Sequence, residues 1–587
     1  MKRIMNLLLA GFLAVTFLQI DTGSIKASEK SAIQTEVESL SDKWSESTVD
    51  TSVYDASKDT ITITTAEQFA ALQQSTLMTN MNNFEGKTVL LGNDIDLGGK
   101  LWDKPIENFC GTFDGQNYQI RNFVSNGAAL FKNLGLQNGD GGVIKNFAVS
   151  GSYYLSIVSK YNTNSGGYRR EDICSGAIVQ KLDKSTTANN GYRASGIRCM
   201  VNQEIEIIID HENEPDDDGR NESYTTMHIG GMFGYLTNEN NISGCNNYGN
   251  IKIDYSETSV QKIRYGNKFE YELSVGGITS EAGREMYPAQ EQENMNIEKC
   301  LNYGNLDVHA SVPRTQVSVG GVVGSTAKMQ DIQYMNHSGN LLIQDCANFG
   351  NVKLWRDVSA YEGSILADED RESGALFAVG GVIGSTGRRN IVTEESCNHV
   401  AMTIDRVSNS GQVTLLHNAD VNNISEIGFA GGVMGLLVGS QAQDVAPVVK
   451  NSNNTGKLII QSDMTGLPTT GHYISESIRT NSNLLKYTTY LPKNMLFSGN
   501  FIGGVISHGK PVTLQNNFST AEFESSMKDS SYLKASSFVS VYAGGYTADN
   551  DMLNTNYAPD AYKQSEDTCG DDLSDSNKIY RSPRYRL

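Results

Sequence analysis

Apolar positions along this chain do not keep a helical period; they arrive in short Val- and Ile-rich bursts split by glycine pairs. Six bursts recur: IGGMFG from Ile229, VGGITS from Val275, VGGVVG from Val319, VGGVIG from Val379, AGGVMG from Ala430 and IGGVIS from Ile502. Each is too short and too glycine-rich for a helix, and its β-branched content predicts a buried strand. A second unit alternates with the first: CNNYGN from Cys245, CLNYGN from Cys300, CANFGN from Cys346, VSNSGQ from Val407 and SNNTGK from Ser452. Triplets such as Ile251-Lys252-Ile253, Leu306-Asp307-Val308 and Val352-Lys353-Leu354 follow it, and their alternation predicts a strand with one face inward. A two-part signature repeating at roughly fifty residues is that of stacked coils. The expected fold is all-β: one parallel β-helix, right-handed by the bias of parallel crossovers, with a helical cap and loop insertions.

Equivalent positions in such a stack lie above one another. The asparagine two residues before the turn glycine recurs as Asn247, Asn302, Asn348, Asn409 and Asn454, and Asn517 fits where the glycine has become Ser519. An amide both donates and accepts, so these side chains are expected to form a ladder that holds the coils in register. The glycine itself is expected to supply a positive φ at a corner. Cys245, Cys300 and Cys346 share another slot, with Cys199 above them and Val407, Ser452 and Gln515 below. A slot that accepts such residues reads as a stack of buried thiols, with cross-coil disulfides as the alternative. Cys110, Cys174, Cys397 and Cys569 lie off it.

The ends of a solenoid need covers. ITITTAEQFAALQQ from Ile61 reads as a strand and then a helix, with Thr65 and Gln68 in a capping-box pattern and Phe69 and Leu72 as its apolar stripe. Met1-Lys2-Arg3, the apolar run Ile4 to Ile20 and a small-residue exit read as a signal peptide, residues 1–27, with an uncleaved anchor as the alternative. Residues 28–60 then read as a linker, 61–546 as the β-helix domain and 547–587 as a polar tail. No second apolar stretch is long enough to span a membrane. The net charge of −20 argues against nucleic acid and anionic lipid as partners.

The opening coils carry a family resemblance. GKTVLLGNDIDLGGKLWDKPI from Gly86, FCGTFDGQNYQIRNF from Phe109, GAALFKNLG from Gly127 and VIKNFAVSG from Val143 resemble bacterial surface proteins with the GLUG motif. The later VGGVVG and CLNYGN units look like its continuing repeats. The resemblance covers about Ile61 to Tyr546 and implies an exported scaffold. Proteins with such repeats are similar to adhesins and to non-catalytic regions of secreted peptidases, including immunoglobulin-cleaving metalloproteases. The HExxH zinc motif of those enzymes does not carry over, because His211-Glu212-Asn213-Glu214-Pro215 lacks the second histidine.

Candidate chemistry is sparse. Asp216, Asp217, Asp218 and Glu222 offer oxygen ligands for calcium without EF-hand spacing, and a solvated insertion is the plainer reading. Asp94, Asp96 and Asp114 could in principle form a carboxylate pair for glycan hydrolysis, but the opening pattern suits them to binding turn backbone. The eight histidines share no repeat position. The longest excursions are Asp357–Phe377 and Ser462–Asn500; the second carries His472, Tyr473, Tyr487 and Tyr490, residue types suited to sugar or protein contact. The expected function is therefore non-catalytic binding of a glycan or extracellular protein, with no required cofactor. A polysaccharide-active enzyme and a passive envelope component are the alternatives.

Overall fold

The computed structural model describes residues 30–135, 141–160, 169–182, 194–212, 223–237, 240–257, 269–284, 293–312, 315–326, 337–359, 375–386, 398–419, 426–438, 447–464, 472–479, 484–491, 495–507, 512–528, 532–544 and 569–572. Their strands stack into three parallel sheets: a long sheet of 26 strands, a second of eight and a third of ten. One coil shows the path. Phe269–Gly276 lies in the second sheet, Thr279–Arg284 in the third, and Glu293–Glu298, Leu301–Asn302 and Leu306–Ala310 in the long sheet. Thr315–Gly320 then begins the next coil. Each strand pairs in parallel with its counterpart one coil on: Val275 with Val319, Thr279 with Val323, Ile297 with Ile343, Asn302 with Asn348, and Val308 with Leu354. The β-helix is the expected fold, and the inward Val, Ile, Leu and Cys side chains form one continuous core.

In five of the six bursts the glycine pair marks the corner between the second and third sheets; Gly503 and Gly504 lie instead inside the third-sheet strand Ile502–Ser507, because that coil turns its corner at Gly499–Asn500. A Cβ on Gly276 would sit 1.9 Å from the Thr279 carbonyl oxygen, and one on Gly277 would sit 2.2 Å from that of Gly321. Only a residue without a side chain lets the chain fold this tightly against itself and against the next coil.

The turn glycines of the NxG units are needed for a different reason from the one the sequence suggests. Positive φ is absent at Gly304 and its counterparts. It falls instead on the residue before the thiol slot: Gly244 (65°), Lys299 (54°), Asp345 (54°), Arg406 (52°), Asn451 (54°) and Asn516 (52°). The glycines are required by close stacking. A Cβ on Gly304 would lie 1.8 Å from the Gly249 oxygen, and one on Gly350 would lie 1.9 Å from the Gly304 oxygen.

The asparagine ladder is continuous over five coils. Asn247 Nδ2 donates to Asn302 Oδ1 at 2.8 Å, Asn302 to Asn348 at 2.7 Å, Asn348 to Asn409 at 2.8 Å and Asn409 to Asn454 at 2.9 Å. Each Nδ2 also donates to the glycine carbonyl two residues ahead, between 2.7 and 3.1 Å. Asn517 is not the next rung. Asn454 pairs with Ser519, which shifts Asn517 into the thiol slot beneath Ser452, where its Oδ1 accepts the Ser452 N–H at 2.9 Å. The missing glycine removed the landmark, so spacing alone assigned the wrong column. Gln515 likewise lies outside the slot, pairing with Lys450.

In that slot Cys199, Cys245, Cys300 and Cys346 are buried free thiols. Cys245 Sγ lies 3.3 Å from the Gly196 oxygen one coil back, and Cys346 Sγ lies 3.5 Å from that of Ile297. Burial pushes the Cys245, Cys300 and Cys346 thiols well above their usual range, and the thiol one coil back raises each further.

The N-terminal cover is built as expected. The strand Thr60–Ile63 pairs with Thr88–Leu91. Thr65 caps the helix Ala66–Ala71 by accepting the Gln68 N–H at 3.2 Å, while Gln68 Oε1 reaches back to the Thr64 N–H at 2.8 Å. Phe69 and Leu72 are fully buried, and Phe69 packs against Trp102 and Phe113.

Within the span read as a linker, the described residues 30–60 pack onto the β-helix. The helix Ala32–Ser39, capped by Ser31, lays Val37 on the outer face of the long sheet against Leu101, Val124 and Tyr154. Trp44 is buried behind it and donates to the Leu97 carbonyl at 3.1 Å. At the other end the third sheet continues into the span read as a tail, where Cys569–Asp572 pairs with Val539–Gly544. Among the described residues no helix is long and apolar enough to cross a membrane.

The crossings outside the described residues fall at two corners. Segments such as 360–374 and 420–425 join the long sheet to the second, whereas 327–336 and 387–397 join the third to the long sheet. Insertions therefore leave from two sides of the coil rather than one.

Candidate binding face

Strand alternation explains the face that the long sheet turns to solvent. In CNNYGN, CLNYGN and CANFGN the asparagine enters the ladder, so the aromatic residue after it points outward. Coil stacking then brings three rings into one pile. Tyr248 and Tyr303 lie with centroids 4.7 Å apart and planes 1° apart; Tyr303 and Phe349 lie 4.8 Å and 10° apart. All three remain exposed, at 44%, 40% and 46%. The register places Asn202 before this ridge and Ser410 after it, so it is confined to three coils. Met200 is also exposed and lies beside Asn246 on the ridge's flank.

Amides border the ridge. Asn250 Oδ1 accepts the Asn305 N–H at 3.0 Å, Asn305 Oδ1 accepts that of Asn351 at 2.9 Å, and Asn351 Oδ1 that of Gln412 at 3.0 Å. Beyond them the charges are paired along the stack: Lys252 with Glu206 and Lys353 with Asp307, each at 3.0 Å. Asp254 lies 3.1 Å from His309 Nδ1, and the His309 ring stacks on Trp355 at 4.3 Å. The face is thus an aromatic ridge, tipped by hydroxyls at Tyr248 and Tyr303, rimmed by amides and by charges that largely neutralise one another. Burial and the neighbouring Tyr303 raise the Tyr248 hydroxyl above its usual range, so it stays a donor at neutral pH. Rings stacked face to face offer solvent their edges and, at the two tyrosines, their polar tips.

The residues singled out from the sequence are placed elsewhere. His472–Arg479 and Leu484–Leu491 form an antiparallel hairpin separate from the three sheets. Its register sets Tyr473 opposite Tyr490, Tyr487 opposite Glu476 and His472 opposite Leu491. Asp216, Asp217, Asp218 and Glu222 lie outside the described residues. Among the described residues no three His, Cys, Asp or Glu side chains are grouped as metal ligands.

The aspartates of the opening coils bind turns. Asp94 Oδ1 accepts the Gln119 N–H at 3.0 Å; Asp96 Oδ1 accepts from Gly98 N at 2.9 Å and Asn122 Nδ2 at 2.8 Å. Asp114 Oδ1 accepts from Gln116 N and Asn146 Nδ2, each at 3.0 Å. Asn122 and the Gly98 N–H hold the Asp96 carboxyl below the usual range. Burial works upward on Asp114, but the Gln116 N–H, Asn146 and Lys145 outweigh it and leave it low as well. A general acid needs the opposite shift.

Fold and face together define a parallel β-helix with an aromatic ridge on its long sheet. No protein-family model matches the chain, and no curated protein does. Among solved structures it is similar to a candidate immunoglobulin A1 protease from Bacteroides ovatus, at 17% identity over 64% of this chain and 82% of that one, with a TM-score of 0.35.

Proposed function

We propose that this chain is an exported bacterial β-helix protein of the GLUG-motif kind that binds a glycan or an extracellular protein. The observation that carries this reading is the exposed ridge of Tyr248, Tyr303 and Phe349. Aromatic side chains are costly to leave in water, and a contiguous exposed set on a rigid scaffold fits an interaction surface. The apolar run Ile4 to Ile20 supports export, and the net charge of −20 disfavours nucleic acid. The hairpin His472–Leu491 is a second contact element on this reading, and no cofactor is needed.

The test uses residues 28–587 on immobilised mucins, plant polysaccharides and matrix proteins, with and without calcium. Retained protein and new reducing or unsaturated sugar ends are scored in the same wells. Retention without product supports the reading and identifies the ligand class. New sugar ends would replace it with a polysaccharide-active enzyme.

A further inference from the structure

One inward column of the long sheet breaks the apolar rule. From coil to coil it reads Ile209, Tyr255, Ala310, Arg356, His417 and Ser462. Arg356 and His417 are buried in the core, as is Glu426, the first residue of Glu426–Gly431 in the second sheet. Arg356 Nε donates to Glu426 Oε1 at 2.9 Å, and Nη2 donates to the same oxygen. Its Nη1 donates to the carbonyls of Ala310 at 3.1 Å and Val312 at 2.7 Å. His417 Nε2 lies 3.2 Å from Glu426 Oε2, its Nδ1 lies 3.4 Å from Ser462 Oγ, and Phe377 stacks on its ring at 5.1 Å.

Serine, histidine and glutamate in that order resemble a nucleophile with its base and orienting acid. The surroundings argue otherwise. Ser462 is sealed in the core, where its Oγ accepts the Met464 N–H at 3.3 Å, and Glu426 is committed to Arg356. The informative feature is position. Arg356 lies just before the crossing 360–374, His417 and Glu426 flank the crossing 420–425, and Ser462 lies just before the excursion that carries the His472–Leu491 hairpin. The cluster bonds the long sheet to the second sheet at the corner all three leave from.

We propose that Arg356, His417 and Glu426 form an acid-sensitive latch, which holds this corner closed while Glu426 is ionised and releases it on protonation. Burial alone would favour the neutral acid, but the Arg356 charge and His417 outweigh it and keep the carboxyl below its ordinary value. A carboxylate depressed in the folded state contributes stability that is complete above its unfolded pKa, about 4.3, and is lost as pH falls through the lower folded value. Protonation then removes the Glu426 counter-charge from the buried Arg356 guanidinium beside the His417 imidazole, an arrangement far costlier than the intact pair. Other coils fill this column with Ile209, Tyr255 or Ala310, so they place no buried ion pair in it.

Hydrogen exchange by mass spectrometry on the full chain tests the latch, corrected for intrinsic rates over descending pH and run beside far-ultraviolet circular dichroism. Exchange in 352–358, 413–419 and 426–431 should rise at least tenfold at a pH where the strand signal is intact and 306–310 stays protected. Glu426→Gln should show the same open pattern at neutral pH. The pair Arg356→Met with Glu426→Leu, which removes both charges, should stay protected through the acid range and decides the matter if the single variant does not fold. Equal protection of Glu426→Gln and wild type at neutral pH would overturn the latch. So would opening of the double variant at the wild-type pH, or simultaneous loss of protection in every coil.

Discussion

At the scale of single residues, two kinds of turn position carry opposite tolerances. Gly304 has an ordinary φ but no room, since a Cβ would meet the Gly249 oxygen at 1.8 Å. Lys299 has room but a φ of 54°. Gly304→Ala should therefore cost about 3 kcal/mol or more, because backbone in two coils must move, whereas Lys299→Gly should change stability by no more than about 1 kcal/mol. Urea midpoints for the two variants check this, and a silent Gly304→Ala would contradict the close-stacking account. Asn348→Ala removes the donor to Asn409 and the acceptor for Asn302, leaving buried amide groups short of partners. The expected loss is about 2–4 kcal/mol on the same assay. The sequence pointed to these asparagines because an amide in a fixed slot has few other uses. It misassigned the glycines because a one-letter code does not separate a steric need from a conformational one.

At the scale of the element, columns of like residues behave as units. Cys245, Cys300 and Cys346 are buried, and burial pushes their pKa upward, which disfavours the reactive thiolate. A disulfide-forming colour reagent at pH 8 should leave them unmodified in the native protein and titrate them after guanidinium unfolding; rapid native modification would show that the column opens. The strands and the cap helix Ala66–Ala71 were readable because alternation and the Thr65–Gln68 pattern are local. The helix Ala32–Ser39 was not. Its apolar positions Ile33, Val37 and Leu40 span barely two turns, and only the apolar outer face of Leu101, Val124 and Tyr154 makes it a packed element. The ridge was similarly hidden. Each aromatic is plain within its own motif, but stacking over three coils appears only once the register is known.

At the scale of the whole molecule, the β-helix is a stack of repeats, and the proposed function rests on the features that stand out against the repeat. Three departures stand out: the aromatic ridge, the hairpin His472–Leu491 and the ionic cluster around Arg356. The repeat itself was readable from phase alone, since glycine pairs and NxG turns recur in the central coils from Ile229 to Gly456. The cluster was not, because nothing in VKLWRD or VTLLHN says that Arg356 and His417 meet a glutamate from another sheet. The most direct measurement compares two variants on whichever immobilised ligand retains the wild type. One carries Tyr248→Ser, Tyr303→Ser and Phe349→Ser; the other replaces residues 465–494 with a short Gly-Ser linker. With folding intact, loss of at least tenfold in affinity for the ridge variant, and a smaller loss for the hairpin variant, is the result expected here. Full retention by the ridge variant would contradict the assignment of the long sheet's outer face as the binding surface.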